Sequence, residues 1–248
     1  MRNGNNSLFE RFEKTSRTNW WYIARLELIT QIFKDFYKGK KILDLCGGVA
    51  SVPEISLEKG FVLLDSSNEA VGYCKSKNIN ALEGDATKIP FGERSFDVVL
   101  ALDALEHIPD DAKALSEIYR IIKKDGRVLI SVPAFQSLWR QSDLDAGHLR
   151  RYSKKEIINK IEKAGFKAEK IFYWNFFLFF PLWIKTKLEV KPKKRKVSQH
   201  EVIFGDELEV NKVSNKILLS LLRVENFLIR NKLNFPFGVS LFLYLKKI

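Results

Sequence analysis

Cysteine, histidine and methionine are scarce in this 248-residue chain: two, three and one, respectively. Cys46 and Cys74 have neither the spacing of a zinc site nor that of a disulfide framework. A reducing cytoplasm is therefore the expected compartment, and no metal-binding set is read. Long hydrophobic runs are missing too. The longest greasy stretch, Ile171 to Ile184, has 14 residues and contains Asn175 and Pro181, too short to span a bilayer. The opening residues, MRNGNNSLFERFEK, lack the apolar core of a signal peptide. Acidic residues are the minority charge, with 30 Asp and Glu against 42 Lys and Arg and a formal net charge of +12. That excess points to an anionic partner: nucleic acid, an acidic membrane face or a phosphorylated substrate.

What is present is ordinary globular material. Hydrophobic residues make up 46% of the chain, enough for one sizeable domain with elaborations. Residues 7–37 place apolar side chains near helical spacing, which predicts one or two helices with a break around Ser16–Asn19. From Lys40 the pattern changes to short apolar runs alternating with helical stretches. Strands are expected at 41–45, 61–64, 79–82, 96–101, 127–132, 167–173 and 239–245, and helices at 52–59, 68–76, 111–123 and 154–164. This alternation predicts an α/β fold, a doubly wound and mostly parallel sheet with helices on both faces. Ser51 with Glu54 and Ser153 with Glu156 read as capping boxes, and Gly165 as a helix stop. The expected divisions are an N-terminal helical cap (1–39), a core (40–173), an aromatic and basic insertion with a helix near Asn211–Arg230 (174–238), and a final core strand (239–248).

The chemistry gathers where strands end. KILDLCGGVAS reads as a strand breaking into a tight glycine turn, with Asp44 just before it and Cys46, Gly47 and Gly48 in it. Three more acids follow strands: Asp65 in FVLLD, Asp85 in EGDA and Asp103 in FDVVLALD. Strand ends of a doubly wound sheet share one crevice, where ligands bind. An acid after the second strand suits a ribose, whose vicinal hydroxyls a carboxylate can accept from. Asp85 can accept from an adenine amino group while the Ala86 N–H reaches a ring nitrogen.

These residues resemble the class I S-adenosylmethionine-dependent methyltransferases. ILDLCGGVA stands for that family's first motif, FVLLDSS for its ribose-binding acid, and EGDATKIPFGERSFDVVLALDALEHIPD for the adenine site and fourth strand. The likeness runs over about Lys40–Phe172 plus the last strand. It implies a seven-stranded sheet with an antiparallel final strand and S-adenosylmethionine as cofactor. The cofactor residues it implies are Asp44, Cys46, Gly47, Gly48, Asp65, Ser66, Asp85, Ala86 and Asp103. The first motif departs from its usual Gly-x-Gly-x-Gly form, with Cys46 and Ala50 in glycine places. Gly47 is expected to absorb the unusual turn. His107, in LEHIP, is read as structural.

The acceptor is expected near SVPAFQSLWRQSDLDAGHLRRYSKKEI, after the fifth strand. His148 is the candidate base, with Asp143 holding its tautomer and Tyr152 beside it; Arg150 and Arg151 are candidates for binding phosphate or carboxylate. The pattern D-x-x-x-G-H-x-R-R-Y resembles a subgroup of these methyltransferases that works near polysaccharide or lipid-linked glycan assembly. The N-terminal helices are expected to cover the cofactor, with Trp20 or Trp21 and Arg25 facing it, and Trp21 and Arg25 are also candidates for binding the acceptor. Residues 174–196 set aromatics beside seven Lys or Arg and one Glu in IKTKLEVKPKKRK, as an interfacial contact with anionic lipid would. The expectation is O-methylation of a small-molecule, glycan or lipid-linked acceptor by a protein in the cytoplasm, peripheral on the inner membrane face.

Two rival enzymes fit less well. A nucleic-acid methyltransferase suits the charge, but the fourth strand ends in ALDALEHIP instead of the Asn/Asp-Pro-Pro-aromatic turn used on base amino groups. A nicotinamide dehydrogenase would need a G-x-G-x-x-G that is absent. A binding protein with a methyltransferase-like fold is the rival from another class.

Overall fold

The computed structural model describes residues 4–33, 36–50, 52, 55–189, 192 and 210–247. The Ser51–Glu54 capping box and most of the basic run beyond Glu189 lie outside them. Two helices, α1 (Gly4–Thr18) and α2 (Trp20–Phe33), precede the core, with the break at Asn19. The core runs β1 (Ile42–Leu45), β2 (Phe61–Asp65), α3 (Asn68–Ser76), β3 (Ala81–Glu83), β4 (Phe96–Leu102), α4 (Asp111–Ile121), β5 (Ile122–Pro133), α5 (Gln141–Asp145), α6 (Lys154–Lys163) and β6 (Phe166–Trp174). Then come α7 (Phe176–Leu188), α8 (Lys212–Arg230) and β7 (Ser240–Lys247).

The seven strands form one sheet in the order β3-β2-β1-β4-β5-β7-β6. β1 to β5 pair in parallel, and β7 is antiparallel to both β5 and β6. β1 is buried at every residue because strands flank it and helices cover both faces. Alternation sends Leu43 and Leu45 into one apolar cluster, with α4 and α6, and Ile42 into the other, with α2, α3 and α8. Strand order reverses between β1 and β4, the switch point at which such sheets bind ligands.

Local chemistry sets most boundaries. Ser67, Asp110, Ser153 and Asn211 cap the N-termini of α3, α4, α6 and α8 through their side chains. Gly165 follows α6 at φ +92°, a conformation glycine adopts without steric cost. The helix expected over 52–59 does not form among its described residues; only a single 3-10 turn, Ile55–Leu57, is present. The chain must be back at β2 by Phe61, and a β-carbon at Gly60 would stand 2.3 Å from the Lys40 carbonyl oxygen.

The C-terminal helices are fastened to the core by buried polar groups. Trp174 Nε1 donates to Asn226 (2.9 Å), and Asn226 donates in turn to the Ala24 carbonyl of α2 (2.8 Å). Buried Glu225 accepts from the Phe176 N–H at 3.1 Å, placing an acid at the N-terminus of α7. Yet no side chain of α7 is fully buried, and Phe180, Trp183, Ile184 and Leu188 are exposed. Among the described residues no helix is long and apolar enough to cross a membrane.

Candidate active site

The turn after β1 is built differently from the sequence expectation. Gly47 does not absorb the unusual conformation; Cys46 (φ +55°), Gly48 (φ +57°) and Ala50 (φ +77°) do. The two non-glycine residues each carry a steric cost of about 1–2 kcal/mol. Gly47 is required for space instead, since a β-carbon there would stand 2.5 Å from Asp44 Oδ2. The loop is held by its neighbours. The Cys46 N–H donates to the Leu64 carbonyl (2.7 Å) and the Gly48 N–H to Asp65 Oδ2 (3.0 Å). Burial, with the negative charges of Asp65 and Asp44, pushes the Cys46 thiol up to about 12.

Beyond the loop lies a cavity of about 340 Å³ whose lining includes Cys46, Ser66, Asp85, Ala86, His107 and Ile108. That volume is in the range of small-molecule sites. Polar groups in and beside this cavity are fixed by the fold. Asp65 accepts a second backbone N–H, from Ser67 (2.9 Å), and a carboxylate with about four lone-pair sites still has room for two hydroxyls. Asp85 Oδ1 is held by the Thr87 N–H (2.7 Å) and hydroxyl (2.8 Å). At Gly84 a β-carbon would fall 2.7 Å from Leu64 Cδ1, so this wall approaches as only glycine allows. A ribose acid, an adenine-side acid and close backbone at the turn fit S-adenosylmethionine.

Asp103 sits at φ +53° where β4 ends, and Arg25 of α2 reaches it at 2.6 Å. Ser131 joins them, donating to Asp103 (2.9 Å) and accepting from Arg25 (3.1 Å). Trp21 lies under the Arg25 guanidinium at 5.3 Å. Arg25 is thus a buried clamp between the N-terminal helices and the crevice, which corrects its expected place among acceptor contacts.

The acceptor segment forms a second polar cluster. His148 Nδ1 lies 2.9 Å from Asp143 Oδ1. Burial raises the Asp143 carboxyl, but the hydrogen bond from His148 and the charge of Arg151 outweigh it and hold the group below its ordinary range. Asp143 is therefore an ionised acceptor for the Nδ1–H of His148, a tautomer that puts the ring's lone pair on Nε2. Arg151 is buried, with Nε donating to Asp143 Oδ1 at 2.9 Å. The structure thus corrects the expectation that it binds an acceptor phosphate. Tyr152 is also turned away: its hydroxyl is fully buried against Asp111 Oδ2 (2.8 Å) and the Leu105 carbonyl (3.1 Å). Burial and the Asp111 bond push that hydroxyl far above the ordinary tyrosine value. Arg150, nearer the surface, pairs with Asp111 (3.1 Å) and the Pro109 carbonyl (3.0 Å).

One residue here escaped the sequence reading. Glu106, in the 3-10 turn after β4, is completely buried, and its carboxylate oxygens have no hydrogen-bond partner on any other described residue. Burial first, then the charge of Asp103, pushes its pKa well above the ordinary value. Its neighbour His107 lines the cavity, packs edge-on to His148 (centroids 4.8 Å apart) and is hydrogen-bonded to the Gly147 backbone. Burial and the nearby His148 lower His107 to about 4, so it is neutral at physiological pH. The Leu149 N–H donates to the Glu106 carbonyl (2.8 Å) and pins the His148 loop over this turn. LEHIP offered the letters, but burial of the acid has no signature in them.

Comparison with known proteins agrees with this construction. Residues 43–130 match the family model described as a methyltransferase domain. A ubiquinone/menaquinone biosynthesis C-methyltransferase of Psychromonas ingrahamii is 30% identical over 150 residues, 54% of this chain and 60% of that protein. A demethylmenaquinone methyltransferase of Thermobifida fusca is 28% identical over 132 residues, covering 50% and 54%. The chain thus spans under two thirds of the length of these curated relatives. In fold, a methyltransferase structure from Thermotoga maritima matches with a TM-score of 0.61 at 17% identity, over 98% of this chain and 96% of that one. One from Archaeoglobus fulgidus matches at 0.60 and 19% identity, over 96% and 99%. Over residues 43–130 this chain carries a methyltransferase domain, in the fold of S-adenosylmethionine-dependent methyltransferases.

Proposed function

We propose that the protein moves a methyl group from S-adenosylmethionine to a hydroxyl oxygen of an acceptor with a large apolar part. The observation that carries this reading is His148, whose Nδ1 is fixed by Asp143 and whose ring packs edge-on against the cavity-lining His107. When bound, the cofactor's sulfonium supplies an electrophilic methyl: a C–O bond forms as the C–S electron pair returns to sulfur, leaving S-adenosylhomocysteine. The protein's part is to align the acceptor, exclude water and take the hydroxyl proton at His148 Nε2. Asp103, Arg25 and Ser131 tie the N-terminal helices to the ends of β4 and β5.

The apolar nature of the acceptor is supported by α7. Phe179 packs on Phe135 at 5.4 Å, and Phe135 lies two residues past the end of β5, so the aromatic helix adjoins the C-terminal edge of the sheet. Trp183 stands near Lys187, an arrangement suited to a lipid headgroup layer, from which a lipid-linked acceptor would be drawn. The quinone-biosynthesis names of the relatives favour a second acceptor, an isoprenoid phenol. In that case the same proton loss at His148 would activate a ring carbon.

The test is transfer of labelled methyl to phenolic and alcoholic polyprenyl acceptors in detergent, with the product read as methoxy or C-methyl by NMR. His148→Gln is expected to lower kcat by about 10²-fold or more, as loss of a general base does, while S-adenosylhomocysteine affinity is kept. A variant as fast as wild type would refute the role of His148, and transfer only to water-soluble acceptors would refute the acceptor class.

A further inference from the structure

We propose that Glu106, His107 and His148 together hold a divalent transition-metal ion at the rim of the cofactor cavity. One ligand atom from each of these residues can be chosen so that all lie within 4.8 Å of one another, and His148 Nε2 is 4.0 Å from Glu106 Oε1. Ligands of a single ion at about 2.1 Å sit roughly 3–3.5 Å apart, so the site closes by side-chain shifts of about 1 Å.

The independent sign of a missing ligand is Glu106. A completely buried carboxylate is costly unless a charge or hydrogen bonds compensate it, and its oxygens have none from other described residues. The cations nearby are already committed. Arg25 is paired with Asp103 at 2.6 Å and Arg151 with Asp143 at 2.9 Å. What remains opposite the Glu106 carboxyl are the imidazoles of His107 and His148.

The surroundings are those of a metal ligand set. Asp143 accepts from His148 Nδ1, fixing the ring and leaving Nε2 for the ion; such carboxylate–histidine pairs orient metal-bound histidines. The bond of His107 with the Gly147 backbone orients its ring in the same way. Two imidazoles and one carboxylate suit zinc, manganese, iron(II) or cobalt(II) and leave coordination positions open. His107 also lines the cavity, so the open side faces the space where the acceptor oxygen would lie.

This inference rests on the proposed methyl transfer only for its purpose. With the ion bound, Nε2 of His148 would be a ligand, so its general-base role proposed above belongs to the ion-free protein. An ion there would lower the pKa of an acceptor hydroxyl held on it, so that the oxygen could lose its proton more readily.

The experiment uses untagged full-length protein stripped with a chelator and titrated calorimetrically with Zn²⁺, Mn²⁺ and Co²⁺, with visible absorption followed for Co²⁺. The wild type is expected to bind one ion per chain, with new Co²⁺ absorption bands. Glu106→Gln is isosteric, removes a buried charge and should fold normally; it is expected to weaken binding by about 100-fold or more, while the distant surface control Glu162→Gln leaves it unchanged. Absence of one-to-one binding by all three ions, or equal binding by Glu106→Gln, overturns the proposal. S-adenosylhomocysteine binding is measured on the same stripped samples. Intact cofactor binding without metal binding would sink the ion alone; metal binding without cofactor binding would sink the methyl-transfer reading alone.

Discussion

Replacing Gly47 by alanine tests the geometry of the cofactor turn. Its φ lies in the ordinary negative range, so the backbone itself accepts an alanine, and the reduced freedom of the unfolded chain would even favour the variant by about 0.4–1 kcal/mol. Contacts decide against it. The new β-carbon would stand 2.5 Å from Asp44 Oδ2, 2.6 Å from its Cγ and 3.0 Å from Leu63 Cδ1. Asp44 is wholly buried in the middle of the sheet, and Leu63 is buried on the adjacent strand, so neither can swing into solvent. Overpacking of this kind costs about 1–3 kcal/mol, which leaves a net loss of about 1–2 kcal/mol after the backbone gain. For a chain of this size the melting temperature should fall by about 2–8 °C. Since Asp44 must shift at the mouth of the crevice, S-adenosylhomocysteine affinity should fall about tenfold, equivalent to about 1.4 kcal/mol. Gly72 is the control. It is exposed on α3, nothing lies within 4 Å of its notional β-carbon, and Gly72→Ala should raise stability by about 0.5–1 kcal/mol with unchanged affinity. Calorimetric melting and titration read both quantities. A Gly47→Ala protein that melts and binds like wild type would refute the reasoning.

Two further outcomes follow from buried ionisable groups. Burial alone would raise the Asp111 carboxyl, but bonds from Lys160 and Tyr152 hold it below its ordinary value. The folded pKa is depressed, so the stabilisation is full above the unfolded value of about 3.9 and is lost as pH falls through the folded one. Asp111→Asn should therefore melt lower than wild type at pH 7, with the gap narrowing below about pH 4; a gap independent of pH would contradict this. Burial also pushes both thiols up to about 12, so Cys46 and Cys74 should resist iodoacetamide at about pH 8 until the protein is denatured. Rapid labelling of either cysteine in the folded protein, followed by mass spectrometry, would show that burial wrong.

The parts of the fold that could be read in the sequence are those governed by local pattern. Strand alternation with helices gave the doubly wound sheet, and Ser153 and Gly165 marked the ends of α6 because capping is chemistry between near neighbours. The acids after β1, β2, β3 and β4 were legible for the same reason, since the ends of parallel strands are forced to one edge. The errors came where long-range partners decide. Arg151 and Tyr152 look like ligand contacts in GHLRRY, but Asp143 and Asp111 claim them inside the protein. Arg25 is claimed by Asp103, 78 residues away. The Cys46 turn was misread because room for a β-carbon depends on Asp44 and Leu63 folding around Gly47. Glu106 was invisible because burial without a partner is a property of the packed structure alone.

The central claim is that the crevice formed by the glycine turn, Asp65 and Asp85 is a working S-adenosylmethionine site despite the cysteine in its first motif. Calorimetric titration of the folded protein with S-adenosylhomocysteine tests it most directly, with Asp65→Ala checked for intact secondary structure by circular dichroism. The account predicts one saturable site per chain and at least about tenfold weaker binding by the variant, the loss of about 1.4 kcal/mol expected when the ribose acid is removed. No binding by the wild type, or equal binding by Asp65→Ala, would contradict it.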